Sequence, residues 1–71
     1  MLDIKTKQNI YVYLRPLKTW IDNNGMMYLK EIVWNTEEYF DDITNEEIEM
    51  LLKNICDVKM YDDLVVTKIN I

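Results

Sequence analysis

Residues Thr36–Cys56 read TEEYFDDITNEEIEMLLKNIC, and the second half of this stretch decides the fold. Thr44 stands three positions before Glu47. That is the spacing of a capping box, in which each side chain satisfies the other residue's backbone N–H. Directly behind it, Ile48, Leu51, Leu52 and Ile55 recur at i, i+3, i+4 and i+7, one apolar stripe of a helix with 3.6 residues per turn. Glu46, Glu47 and Glu49 sit toward the N-terminal end, where the helix dipole favours negative charge. Glu49 and Lys53 make an i, i+4 pair in the favourable order. The expectation is a main helix over about residues 45–56, packed by this stripe onto a sheet.

Upstream, Gln8–Arg15 alternates Ile10, Val12 and Leu14 against Tyr11, Tyr13 and Arg15, the period-2 pattern of a strand. Pro16 then marks a strand end, a bulge or an edge position. A rival reading places Pro16 in the first turn of a short helix over Leu17–Asn23, closed by Gly25. Asn24-Gly25 suits a type I′ hairpin turn, which sets Lys18 opposite Glu31 and Trp20 opposite Leu29. The returning strand, Met26–Trp34, is apolar on both sides and so asks for cover on both sides. Thr36 caps a short helical turn that directs Tyr39, Phe40 and Ile43 inward. Downstream, Asp57–Asp63 reads as a connection and Leu64–Ile71 as a strand with Val65, Thr67, Ile69 and Ile71 on one side. The whole is one 71-residue domain of the α+β class. Its expected order is β-β-α-β, an antiparallel three- or four-stranded sheet with one main helix on one face.

A chain of this length buries only about 60% of its unfolded surface. It has one cysteine and no histidine, so neither disulfides nor an imidazole-based metal site reinforces it. A lone thiol points to a reducing compartment, and neither a secretory leader nor an apolar run of membrane-spanning length stands out. The expectation is a soluble cytoplasmic protein. Alanine and serine are also absent while isoleucine, asparagine, lysine and aspartate abound, the bias of an AT-rich coding sequence.

Catalytic signatures are missing: no histidine, no serine, one glycine, hence no phosphate-cradling loop. Cys56 falls at the C-terminal end of the helix, which disfavours a thiolate, and reads as structural. Asp41-Asp42 and Asp62-Asp63 lack the spacing of a calcium loop. No enzyme activity, cofactor, metal or membrane contact is expected. Direct nucleic-acid binding is disfavoured as well, because it needs clustered lysine or arginine.

Charge is where the sequence is unusual. From Glu31 to Leu52 there are eight carboxylates and no basic residue, while Met1–Lys30 sums to +3 and Lys53–Ile71 to zero, so the net charge of −5 comes from one segment. Ordinary solvated faces mix signs. With Ile48 at the centre of the buried stripe, Glu46 and Met50 fall nearly opposite it, flanked by Glu47 and Glu49. Glu37, Glu38, Asp41 and Asp42 extend the same negative field. A field of one sign steers a basic partner, and Met50 supplies a pliable apolar anchor within it, with Tyr39 as a second candidate. The candidate partner-binding residues are therefore Glu37, Glu38, Asp41, Asp42, Glu46, Glu47, Glu49 and Met50.

The expected function is a non-enzymatic inhibitor or regulator that presents this acidic helical face to a basic, nucleic-acid-processing protein. By size, acidity and composition the chain has the style of proteins that phages and mobile elements encode to block a host or defence factor, including anti-CRISPR and anti-restriction nucleic-acid mimics. The alternative is a homodimeric structural or accessory subunit associating through an aromatic sheet built from Tyr11, Tyr13, Trp20, Tyr28 and Trp34.

Overall fold

The buried residues of the first third of the chain, Ile10, Leu14 and Ile21, with half-buried Leu17 between them, follow a helical stripe. A computed structural model describing residues 2–71 places them on α1, Ile4–Asn24. Gln8–Arg15 is therefore helix and not strand. Positions 10 and 14 satisfy both periods; Val12 separates them, because it is 56% exposed while Ile10 and Leu14 are fully buried. Asp3 caps the helix by accepting from the Thr6 backbone N–H at 2.7 Å. Pro16 lies in the interior, where it removes one helical hydrogen bond. The carbonyl left without a donor belongs to Val12, and both residues lie on the exposed side, open to solvent.

Asn24-Gly25 ends this helix and forms no hairpin. Gly25 takes φ 107°, a conformation glycine adopts without a Cβ penalty, and its N–H bonds back to the Ile21 carbonyl at 2.7 Å. Lys18 consequently pairs within the helix, with Asp22 at 3.2 Å, and not with Glu31. The expected return strand shrinks to β1, Met27–Tyr28, which runs straight into α2, Leu29–Tyr39. Leu29, Ile32 and Thr36 form the buried stripe of α2. Thr36 is thus an interior residue and not a cap: its hydroxyl donates to the Ile32 carbonyl at 2.7 Å, so its burial leaves no polar group unpaired.

The helix read from the capping box is α3, Asn45–Ile55. Thr44 Oγ1 accepts from the Glu47 N–H at 3.2 Å, and Glu47 Oε1 accepts from the Thr44 N–H at 3.1 Å. Ile48, Leu51 and Leu52 are its buried side. Helix passes to strand without a loop, because Cys56–Met60 is β2. The segment expected as a connection over 57–63 therefore holds a strand and a short turn. β3 follows at Leu64–Ile69.

The class is α+β, and the sheet is antiparallel and three-stranded, in the order β1-β3-β2. The chain order is α-β-α-α-β-β and not β-β-α-β, and three helices rather than one contribute to the core. β3 is the central strand. Val66 and Ile69 on it are both fully buried, which strict alternation forbids at a spacing of three. The register shift between Asp57 and Val58 leaves Thr67 of β3 as an extra residue, a bulge that returns Ile69 to the face of Val66. The buried side chains of all three helices join these two in a single core. Among the described residues no helix is long and apolar enough to cross a membrane.

The capping box is the most local of these devices. Thr44→Ala should lower unfolding stability by about 1 kcal/mol, measured by denaturant titration, and a change below a few tenths would show that the box contributes nothing.

Candidate functional site

Helices α2 and α3 are consecutive, joined over residues 40–44, and packed against each other. That arrangement brings the C-terminal end of α2 and the N-terminal end of α3 to the same end of the pair. Glu37 and Glu38 lie in the last turn of α2, Asp41 and Asp42 in the turn after it, and Glu46 and Glu47 in the first turn of α3. Glu49 and Met50 follow within α3. Seven carboxylates are thus gathered around one helix–helix turn.

They are not equivalent. Glu46 and Glu47 stand where a helix dipole welcomes negative charge, and Glu47 is also half of the capping box. Glu49 pairs with Lys53 at 3.2 Å. Each of these three has a structural role. Glu37 and Glu38 stand at the opposite pole of a helix, beside unsatisfied carbonyls, in a last turn that holds no basic residue. Among the described residues no lysine or arginine forms an ion pair with Glu37, Glu38, Asp41, Asp42 or Glu46. Carboxylates at a helix C-terminus cost about 0.3–1 kcal/mol each, and no ion pair among the described residues offsets that cost for Glu37 or Glu38.

The surface they border is a ridge with a groove on either side. In one groove Glu37 and Glu49 are joined by Lys30, Val33, Trp34 and Asp63, and Trp34 is 61% exposed. In the other, Glu47 and Met50 meet Leu2, Lys7 and Leu51. Met50 is 68% exposed, as its position opposite Ile48 requires. Glu38 is turned toward α1. There Tyr13 stacks on Tyr39 with ring centroids 4.8 Å apart and meets the edge of Phe40 at 5.7 Å. Burial, then the neighbouring Tyr39 and Glu38, hold the Tyr13 hydroxyl above the ordinary tyrosine range. Tyr39 and Phe40 were both expected to turn inward; Phe40 is half-buried, while Tyr39 remains 69% exposed over Tyr13.

The expected carboxylates are therefore brought to one end but divided between two flanks, with Glu46, Asp41 and Asp42 exposed between them. Trp34 is an addition, since the expected hairpin puts it on a strand; Tyr39, the second candidate anchor beside Met50, is exposed next to the carboxylates. The signal for Trp34 was its i, i+3 spacing to Glu37, legible only once α2 is known to be a helix.

Elsewhere, titratable groups do structural work. The Tyr28 hydroxyl donates to both Asp62 oxygens, at 2.7 and 3.0 Å, and that bond raises its pKa. Asp63 accepts from the Leu64 N–H at 2.8 Å and pairs with Lys30 at 3.2 Å. These two bonds, in that order, hold its carboxyl below the ordinary aspartate range. Cys56 is buried. Desolvation, with Asp57 adding to it, pushes its thiol up to about 11, so it is protonated at neutral pH and a poor nucleophile.

No protein-family model, no curated protein and no solved structure matches the chain. The fold and the site define a class: a small α+β domain with carboxylates concentrated around a helix–helix turn.

The Asp63 contacts predict a pH signature. A carboxyl whose folded pKa is depressed stabilises the fold above its unfolded value, and that contribution is lost as pH falls through the folded value. The difference in melting temperature between wild type and Asp63→Asn should therefore be constant near neutrality and shrink below pH 3.8, the ordinary value for aspartate. A gap that stays constant through that range would contradict the assignment.

Proposed function

We propose that the protein is a non-enzymatic binding protein that docks its acidic end on the basic surface of a nucleic-acid-processing protein. In this mechanism Glu37, Glu38, Asp41, Asp42 and Glu46 take the positions of phosphates and exclude DNA or RNA from the partner's cleft. Glu47 and Glu49 add to the same field from their places in α3. The reading is supported chiefly by one observation: among the described residues, the carboxylates at the dipole-disfavoured end of α2 have no lysine or arginine as an ion-pair partner. Places where a sequence breaks a local rule without a structural gain are where function is expected.

Charge supplies steering and register, while affinity needs desolvated anchors. Exposed Trp34, Tyr39 and Met50 border the carboxylates and fill that role. Trp34 in its groove is suited to stack on an arginine guanidinium, the side chain most used to hold phosphate. A host or defence protein that binds nucleic acid presents such arginines. Against the alternative of a homodimer through an aromatic sheet stands the placement of those aromatics: Tyr11, Tyr13 and Trp20 lie on α1 and Trp34 on α2, and of the five only Tyr28 lies on a strand.

The test couples binding with stability. Glu38→Lys places a positive charge at the C-terminal end of α2 and should raise unfolding stability by about 0.3–1 kcal/mol. The triple variant Glu38→Lys, Asp41→Lys, Asp42→Lys should lose at least tenfold in affinity for the protein captured from nuclease-treated lysate. Binding of the wild type should weaken steeply between about 50 and 200 mM salt, and DNA or RNA should displace it. Binding indifferent to the three reversals and to salt would remove the proposal.

A further inference from the structure

The structure has two sheet edges, and they are handled differently. β1 is two residues long and turns at once into α2, too short to template another strand. β2, Cys56–Met60, is five residues long and pairs with a strand on one side only, β3; its first residue, Cys56, also closes α3 by donating its N–H to the Leu52 carbonyl. Its substantial contacts are with β3 and with α3, which runs into its first residue. The extra residue of the bulge falls on β3, so β2 itself keeps an unbroken alternation of side chains. An open strand edge is a row of unpaired N–H and C=O groups, which proteins usually blunt with charge. Here the order of the charges does the reverse.

We propose that β2 is the interface of a homodimer, pairing antiparallel with β2 of a second copy about a two-fold axis through Val58, so that the two sheets become one of six strands. An isologous contact must be self-complementary, and this strand is. A two-fold axis at Val58 sets Asp57 opposite Lys59 of the second copy and Lys59 opposite Asp57 of the second copy. Opposite charges directly across an antiparallel pair stabilise it and like charges oppose it. Asp57 and Lys59 are both exposed and, being two apart, share one face. Lys68 lies across from Asp57 on that face within the chain, so the row of Lys68, Asp57 and Lys59 of the second copy alternates in sign. On the other face the axis brings the two Val58 side chains together and sets Met60 against Cys56 of the second copy. Val58 is half-buried and Met60 is 68% exposed in the isolated chain, and pairing covers both.

This interface uses none of the residues of the acidic end, so it stands or falls separately from the proposed function. The experiment is sedimentation equilibrium of the full chain as wild type, as Asp57→Lys, as Lys59→Asp, and as an equal mixture of the two variants. The wild type should dimerise. Each variant alone sets like charges across the axis and should dimerise at least tenfold more weakly. The mixture should regain a dimer, since lysines at 57 and 59 in one chain then meet aspartates at 59 and 57 in the other. Circular dichroism of each variant reports the fold, and the regained dimer itself requires folded chains. A wild type that stays monomeric to about 1 mM, variants that dimerise undiminished, or a mixture that stays monomeric would overturn the proposal.

Discussion

Most of this domain is seated on β3, and α3 joins it through α2 and β2. Five elements share a chain of 71 residues with this strand, too few to build separate layers, so one strand has to serve as the floor for several. β1 and β2 pair with it from either side, and α1 and α2 pack against it. The device that makes this work is the bulge at Thr67, which lets Val66 and Ile69 point into one core. The core that these two side chains share with buried stripes from three helices is the main source of stability, since the surface ion pairs Lys18–Asp22, Lys30–Asp63 and Glu49–Lys53 are of a kind that contributes little.

What the sequence disclosed depended on whether a signal was local. α3 was legible because a capping box and an i, i+3, i+4, i+7 stripe are contained within twelve residues. α1 was not, because Ile10 and Leu14 fit a period of 2 as well as one of 3.6. The arbitrating facts, that Val12 is exposed and Ile21 buried, belong to tertiary packing. Asn24-Gly25 carries two meanings, hairpin turn and helix stop, and the choice follows from what precedes it. Thr36 was misplaced for the opposite reason: a threonine before two glutamates resembles a cap, but here its hydroxyl bonds back to Ile32. β2 was hidden because Asp57 and Lys59 make an edge strand resemble a loop.

The candidate site divides along the same line. The carboxylates were visible as a run with no compensating lysine, and Met50 as an apolar residue opposite Ile48. Which of them have structural duties was not visible. That required α2 to be known as a helix ending near Tyr39, so that Glu37 and Glu38 fall at its negative pole. The same knowledge brings Trp34 to the groove. One end of the molecule thus combines carboxylates that a helix N-terminus welcomes with carboxylates that a helix C-terminus opposes.

That contrast has a direct measure in the folded protein alone. If the acidic end is uncompensated, its self-repulsion destabilises the native state, and screening should relieve it. Thermal melts at neutral pH between about 10 and 150 mM sodium chloride span Debye lengths of about 30 to 8 Å. The melting temperature should rise steadily across this range. A melting temperature that stays flat or falls would mean that the carboxylates are already balanced within the fold, and would contradict an uncompensated acidic end.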